Sequence, residues 1–381
     1  MDPNRLAQRA PETAKKPLSL EDALSAVVDF RIDRRKKYPL REILMIAVCA
    51  MVAGAKGPTD FERFGRAKAG LLRKFLRREN GIPSHDTFNR VLSKMDPKRF
   101  NAAIVAWLES LTDVLGDVVS VDGKNLRRAL TKDGKMPCIV SAFSSRTKLV
   151  IGQVKADEKS NEITAIPDLL DLLCLKGAIV TVDAAGCQRK IVRKIRKRGA
   201  DYVISLKGNQ STMHDEIRQF MQDPAFKRKF RTAQTVDKGH GRVETRTCRQ
   251  TDDIEWFEDR GKWAGLRSVC MVESRVYDTK TKETATDTRY FISSLPVDPK
   301  RALDAVRSHW GVEAMHWTLD MDFDEDRSRA RTGNIAENLA MLRHVVMNVL
   351  RLDRSVFGGI SVKRKEFMWD DGKLVRLMAA A

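Results

Sequence analysis

The chain has 381 residues, with 70 Lys and Arg against 51 Asp and Glu and a formal charge of +19. That length allows two or three domains around a sizeable core, and a cation excess that large points to a polyanionic partner, nucleic acid before anionic membrane. The one strongly apolar run, Ile43–Ala53, is too short to span a bilayer, and six scattered cysteines with no C-x-x-C pair speak against structural zinc and for reduced, intracellular thiols.

Residues 1–17 are polar, rich in Pro and Ala and without a signal peptide, and they read as a loose tail. Residues 18–113 follow a helical pattern. Ser19-Leu20-Glu21-Asp22 is a capped helix start, and Pro39 suits the first turn of an apolar helix over Leu40–Ala55. Gly57-Pro58 breaks it, and a basic helix is predicted over Thr59–Arg78. After Gly81-Ile82-Pro83-Ser84 a further helix runs through Ser93, carrying Asn89 and Arg90. A helix, a Gly/Pro turn and a short basic helix are compatible with a DNA-binding helix-turn-helix, and equally with a structural or dimerising bundle.

From residue 114 to 225 the pattern becomes strand, strand, strand, helix, strand, helix, strand. Val118–Lys124 reads V-V-S-V-D-G-K and Ile179–Gly186 reads I-V-T-V-D-A-A-G. Both are short β-branched runs ending in an aspartate, the pattern of buried parallel strands whose carboxyl ends carry ligand sites. Two matched aspartates, Asp122 and Asp183, suggest a shared metal site; the plainer reading is that each opens a turn. Pro137–Ser144 and Leu149–Lys155 read as antiparallel strands and Glu162–Leu175 as a helix. The helix Gln188–Arg198 holds seven Lys/Arg around an apolar stripe of Ile191, Val192 and Ile195. Such a face is either solvated or set against a nucleic-acid backbone, and its charge density favours the latter, with Arg189, Arg193, Lys194 and Lys197 as contacts. The next strand, Asp201–Leu206, ends in Lys207-Gly208-Asn209-Gln210. Together these elements predict an α/β fold, a mixed sheet with helices on its faces.

Residues 226–299 read as a β-rich insertion and 300–381 as a helical C-terminal part. On the helix Arg301–Asp320, Val306, Trp310, Glu313 and Trp317 share one face, which places Glu313 among bulky inward residues. His309, Glu313, His316 and Asp320 form a polar ladder beside it. A buried ion pair of Glu313 with Arg307 is one alternative. A carboxylate-bridged di-iron site is excluded, because Glu313-x-x-His316 has no second copy.

Two strand-end aspartates and a helix-borne glutamate in a basic protein suit two-metal phosphoryl transfer with Mg²⁺ or Mn²⁺. At these residues the chain resembles the ISAs1-type (H-repeat-associated) insertion-sequence transposases of the DDE superfamily. The resemblance runs through V-D-G-K at Val121–Lys124, S-N-E-I at Ser160–Ile163, V-D-A-A-G-C-Q at Val182–Gln188 and the stretch ending in K-G-N-Q at Gln210. It continues through H-G-R-V-E-T-R at His240–Arg246, R-S-H-W-G-V-E at Arg307–Glu313, H-W-T-L-D-M-D-F-D-E-D at His316–Asp326 and A-E-N-L-A at Ala336–Ala340. It implies an RNase H-like core with a β-rich insertion, preceded by an α-helical domain associated with these transposases.

The resemblance further implies Asp122, Asp183 and Glu313 as catalytic metal ligands for Mg²⁺ or Mn²⁺, with Glu325 a lesser candidate for the third acid, set in a loop with exposed neighbours. Arg307 takes the place of a basic residue that contacts DNA beside the acid. Lys207, Asn209 and Gln210 touch DNA or support the acids, His240 and Arg242 approach the DNA end, and Lys124 and His309 join the nucleic-acid contacts. The chain departs from the family pattern at Ala314, where an Asn follows the Glu, and at Ala185, where a Met is usual. The implied activity is cleavage at transposon ends and 3′-OH transfer into target DNA by a homodimer or higher oligomer, in a cytoplasmic, nucleoid-associated bacterial protein. The alternative is a domesticated or inactive copy that only binds DNA.

Overall fold

The computed structural model describes residues 17–77, 79–131, 133–156, 162–239 and 241–381. The tail expected over 1–17 therefore lies outside the described residues except for Pro17, as do Arg78, Ser160, Asn161 and His240.

The N-terminal helices are α1 (Leu20–Ser25), α2 (Leu40–Val52), α3 (Pro58–Ala67), α4 (Ala69–Leu72), α5 (His85–Lys94) and α6 (Pro97–Leu111). Ser19 caps α1, accepting from the Asp22 amide while the Asp22 carboxylate accepts in return. Every residue of α2 except Arg41 is buried, so this helix is the axis of the bundle. The helix expected over Thr59–Arg78 is instead split at Lys68 into α3 and α4. A helix-turn-helix needs a turn of three or four residues. Residues 68–84, α4 among them, separate α3 from α5, so that motif is not formed here. The two helices meet through Phe61 and Phe88, edge to face at 5.5 Å.

The core follows as β1 (Val118–Asn125), β2 (Cys138–Ser144), β3 (Val150–Lys155), α7 (Glu162–Leu172), β4 (Ile179–Val182), α8 (Arg189–Lys197), β5 (Asp201–Leu206) and α9 (Ser211–Gln222). The insertion supplies β6 (Arg231–Gly239), β7 (Arg242–Thr251), β8 (Ser268–Asp278) and β9 (Thr284–Ser293). The chain closes with α10 (Pro299–Phe323), α11 (Ile335–Leu352), α12 (Ile360–Trp369) and α13 (Asp371–Ala380). All nine strands form one sheet in the order β3-β2-β1-β4-β5-β9-β8-β7-β6. Its first five strands, an antiparallel β3-β2-β1 meander continued by parallel β4 and β5, have the RNase H-like arrangement. The insertion extends the same sheet, because β9 pairs antiparallel with β5 from Ser293 to Tyr290.

Along β1 the side chains alternate between faces. Ser120, Asp122 and Lys124 reach α10 and the turn after it, while Val119 and Val121 are buried and Gly123 faces α7. Helix α10 lies close on the sheet: a Cβ on Gly311 would stand 2.9 Å from the Phe143 ring.

The terminal strand β3 is sealed by two amides. Asn101 of α6 donates to the Gln153 carbonyl at 2.8 Å and accepts from its amide at 3.4 Å. Asn348 of α11 does the same for Val150, at 2.8 and 2.9 Å. Each side-chain amide presents one donor and one acceptor in the geometry of a neighbouring strand, so the backbone groups of Val150 and Gln153 are satisfied without one.

Candidate active site

Asp122 lies in β1, and Asp183 follows directly on β4. The parallel register pairs Val121 with Val182, so the two aspartates sit level on strands about 4.8 Å apart. Asp183 accepts from the Gly186 amide at 3.0 Å, which tightens the loop that leaves β4. Asn209 and Gln210 brace that loop, donating to the carbonyls of Ala184 at 2.6 Å and Cys187 at 3.0 Å. Of the two roles expected for this pair, the visible one is support of the acid-bearing loop.

Helix α10 supplies the facing wall, with a different rotation from the one expected. Its buried side is Ala305, Val312, Met315, Leu319 and Phe323, whereas Glu313 is exposed and Trp310 and Trp317 are 54% and 64% exposed. The tryptophan stripe is therefore the solvent side. The polar ladder lies between the two sides and engages the strand ends. His309 Nδ1 is 3.0 Å from Thr181 Oγ1, and His316 Nδ1 is 3.4 Å from Asp122 Oδ2. Burial lowers the His309 pKa, against the opposing pull of Asp122, Asp183 and Glu313, whose charges all act on its ring. His309 thus sits partly buried, with three acids acting on its ring. Arg307 pairs with Asp237 of β6 at 2.9 Å rather than with Glu313.

A fourth carboxylate enters from the opposite face of the sheet. Glu162 opens α7, and its Oε2 occupies the space beside Gly123, 2.3 Å from where a Cβ would be. Burial first, then Asp183 and Asp122, push its carboxyl up to about 7. Cys138 shares this pocket; burial, Glu162 and Asp122 raise its thiol to about 11, which leaves it unreactive. Glu162 lay in the quoted S-N-E-I stretch, yet no role was read for it, since a glutamate in the first turn of a helix is ordinary.

Asp122 and Asp183 act electrostatically on both Glu162 and His309, and Glu313 acts on His309. Among the described residues no three His, Cys, Asp or Glu side chains gather tightly enough to form a finished cage. Mg²⁺ is commonly held by one or two carboxylates and completes its shell with water and phosphate oxygens. The surplus of negative charge around Glu162 is what such an ion would offset.

The sequence matches the family described as Transposase DDE domain over residues 115–349, and the DDE_Tnp_1-associated family over residues 21–108. It is 35% identical to the "H repeat-associated putative transposase YhhI" of Escherichia coli (strain K12), over 95% of this chain and 98% of that one. The chain belongs to the DDE transposase family. A second relative of this transposase is the "Putative transposase YncI" of Escherichia coli O157:H7, 37% identical over 91% of each chain. A solved piggyBac transposase synaptic complex with hairpin DNA aligns with 94% of this chain and 78% of that chain, at 12% identity and a TM-score of 0.41.

Other expected contact residues of the transposase divide by whether they are already engaged. Of the seven cations on and just after α8, Arg189 pairs with Asp259 and Lys194 with Asp171, at 2.9 and 2.7 Å. Arg196 pairs with Asp201, and Arg198 donates to the Leu173 carbonyl. Lys190, Arg193 and Lys197 have no ion pair among the described residues, and Arg193, Lys197 and Lys207 are exposed. Arg242 stands at the hairpin end of β7, 3.6 Å from Asp278. Lys124 faces inward, its side chain 11% exposed against Asp320 and Asp326, which leaves it no face for DNA. Glu325, expected in an exposed loop, is instead buried beside Arg343 and Lys124, which explains why it is not available as a third acid. No helix among the described residues is long and apolar enough to cross a membrane.

Proposed function

We propose that the chain cuts DNA strands at the ends of a mobile element and joins the freed 3′-OH to target DNA, using Mg²⁺ or Mn²⁺ held by Asp122, Asp183 and Glu313. The observation that carries this reading is the level placement of Asp122 and Asp183 on adjacent strands, with Glu313 on the helix that crosses them. Bound divalent ions supply Lewis acidity, which favours the attacking oxygen as its anion and stabilises the leaving 3′-oxygen. Asp122 and Asp183 stand level on two neighbouring interior strands, and a site built on strands is a more precise mount for such chemistry than one built on loops. Glu162 adds charge from below, and His316 orients Asp122 through their contact. Exposed Arg193, Lys197 and Lys207 are cations free to hold phosphates, Arg242 is held near Asp278, and Trp310 and Trp317 flank Glu313 on the same open side.

Asp122→Asn and Asp183→Asn should each lower Mg²⁺-dependent strand cleavage by about 10³-fold or more, the scale of losing a catalytic electrostatic partner, with DNA affinity unchanged. Cleavage retained in both variants would sink the assignment. A copy that only binds DNA would tolerate these changes in every assay; the level pairing of Asp122 and Asp183, whose charges act on both Glu162 and His309, speaks against it.

A further inference from the structure

Lys124 lies two residues beyond Asp122 on β1, and its ammonium is 2.7 Å from Asp320, 2.8 Å from Asp326 and 3.6 Å from Glu325. Asp320 is near the end of α10, and the other two are in the short 3-10 turn that follows it. Arg343 of α11 reaches Glu325 at 3.4 Å, and Arg127 reaches Asp326 at 3.2 Å. Three cations and three carboxylates thus form a balanced cluster that ties β1, the end of α10 and α11 together. Apolar residues can often replace a buried ion cluster without loss of stability, so stability alone does not account for this one.

Its geometry offers an account. His316–Asp122 and Asp320–Lys124 are two rungs between the same strand and the same helix. Two residues of strand advance about 6.8 Å and four residues of helix about 6 Å, so the rungs match in spacing and α10 runs along β1. Glu313, by contrast, has no hydrogen bond or ion pair of its own among the described residues. Its position is set by its neighbours on the helix, at one end through Ser308 and His309 and at the other through Asp320. We infer that Lys124 is a positioning residue, the bolt that fixes the rotation and depth of α10 so that Glu313 faces Asp122 and Asp183. This rests on the metal-dependent reading above. Without the bolt, the C-terminal half of α10 keeps its apolar packing and the longer His316–Asp122 contact but loses its close ion pair to β1, and displacement of a ligand by about 1 Å is enough to lower catalysis on the order of a hundredfold.

The test uses Mn²⁺ as the probe, titrated into the full chain without DNA and followed by electron paramagnetic resonance. Lys124→Met keeps the aliphatic stem, and pairing it with Asp326→Asn restores the balance of charge. The double variant should melt within a few degrees of the parent and bind DNA within about twofold, yet bind Mn²⁺ about tenfold more weakly. Adding Glu313→Gln should lower Mn²⁺ affinity in the parent and have little further effect in the Lys124→Met/Asp326→Asn chain. Parent-like Mn²⁺ affinity in the double variant, or an equal Glu313→Gln effect in both backgrounds, overturns the proposal. So does failure of the double variant to fold, which would make Lys124 a stability residue. Absence of Mn²⁺ binding that depends on Asp122 and Asp183 in the parent overturns the metal reading itself, and this inference with it.

Discussion

The carboxyl of Glu162 is pushed to about 7 from an ordinary value of 4.5 by burial, Asp183 and Asp122. As pH rises the unfolded chain therefore loses this proton first, so the folded state is favoured below pH 4.5 and loses stability through the window from 4.5 to 7. Glu162→Gln removes that penalty. Its unfolding free energy should exceed the parent's at pH 8 by on the order of 1 kcal/mol after solvent screening, and match it near pH 4. Divalent metal should shrink the difference; a gap that is the same at both pH values would refute the explanation. Gly123→Ala should drive the Glu162 carboxylate from its place and slow cleavage on the order of a hundredfold with little change in DNA affinity, measured by single-turnover cleavage and equilibrium binding. At this scale Asp122 and Asp183 were legible because a β-branched run stopping at Asp is a local signal, although β1 continues beyond Asp122 to Asn125. Glu162 was not, since its contact with Gly123 exists only once α7 is laid on β1. Lys124 was misread as a surface cation because its partner Asp326 lies 202 residues away.

Helix α10 carries two stripes at helical spacing, and the heavier one misled. Val306, Trp310 and Trp317 outweigh Val312, Met315, Leu319 and Phe323 in bulk, yet the second set is buried. The close approach at Gly311 admits the slimmer face and leaves no room for indoles. Met315→Ala or Leu319→Ala should cost about 2–5 kcal/mol in denaturant unfolding, while Trp317→Ala should fall within about 0.5 kcal/mol of the parent. Comparable losses at Met315 and Trp317 would contradict the rotation described. On α8 the apolar stripe was read correctly, Ile191, Val192 and Ile195 all being buried. What sequence could not show was that acids from other segments already engage several of its cations. Arg193→Glu with Lys197→Glu should weaken binding to any DNA sequence alike and flatten the salt slope by about two contacts, read from affinities over a salt series.

Across the whole molecule one apolar core runs from α1 through the sheet to α13. Helix α11 joins the halves: Asn338 donates to the carbonyls of Leu92 and Met95 at 2.8 and 3.0 Å, and the Leu20 amide reaches the Ala381 carbonyl at 2.7 Å. Local patterns showed the helical N-terminal segment clearly, but not that its apolar faces close against helices more than two hundred residues later. A chain lacking residues 1–113 should accordingly lose cooperative unfolding and bind hydrophobic dyes; a sharp melt from that fragment would show the segment to be separable.

The amides of Asn101 and Asn348 give the sheet a direction of growth. A strand from another molecule, or from a misfolded copy of this one, finds Val150 and Gln153 of β3 already bonded. The opposite border is β6, which carries Arg231, Asp237 and Lys238 and is guarded by charge rather than by a bonded cap. A partner that docks by lengthening this sheet meets fewer bonded caps at the β6 side, and the same border is where a crowded, partly unfolded population would begin to stick.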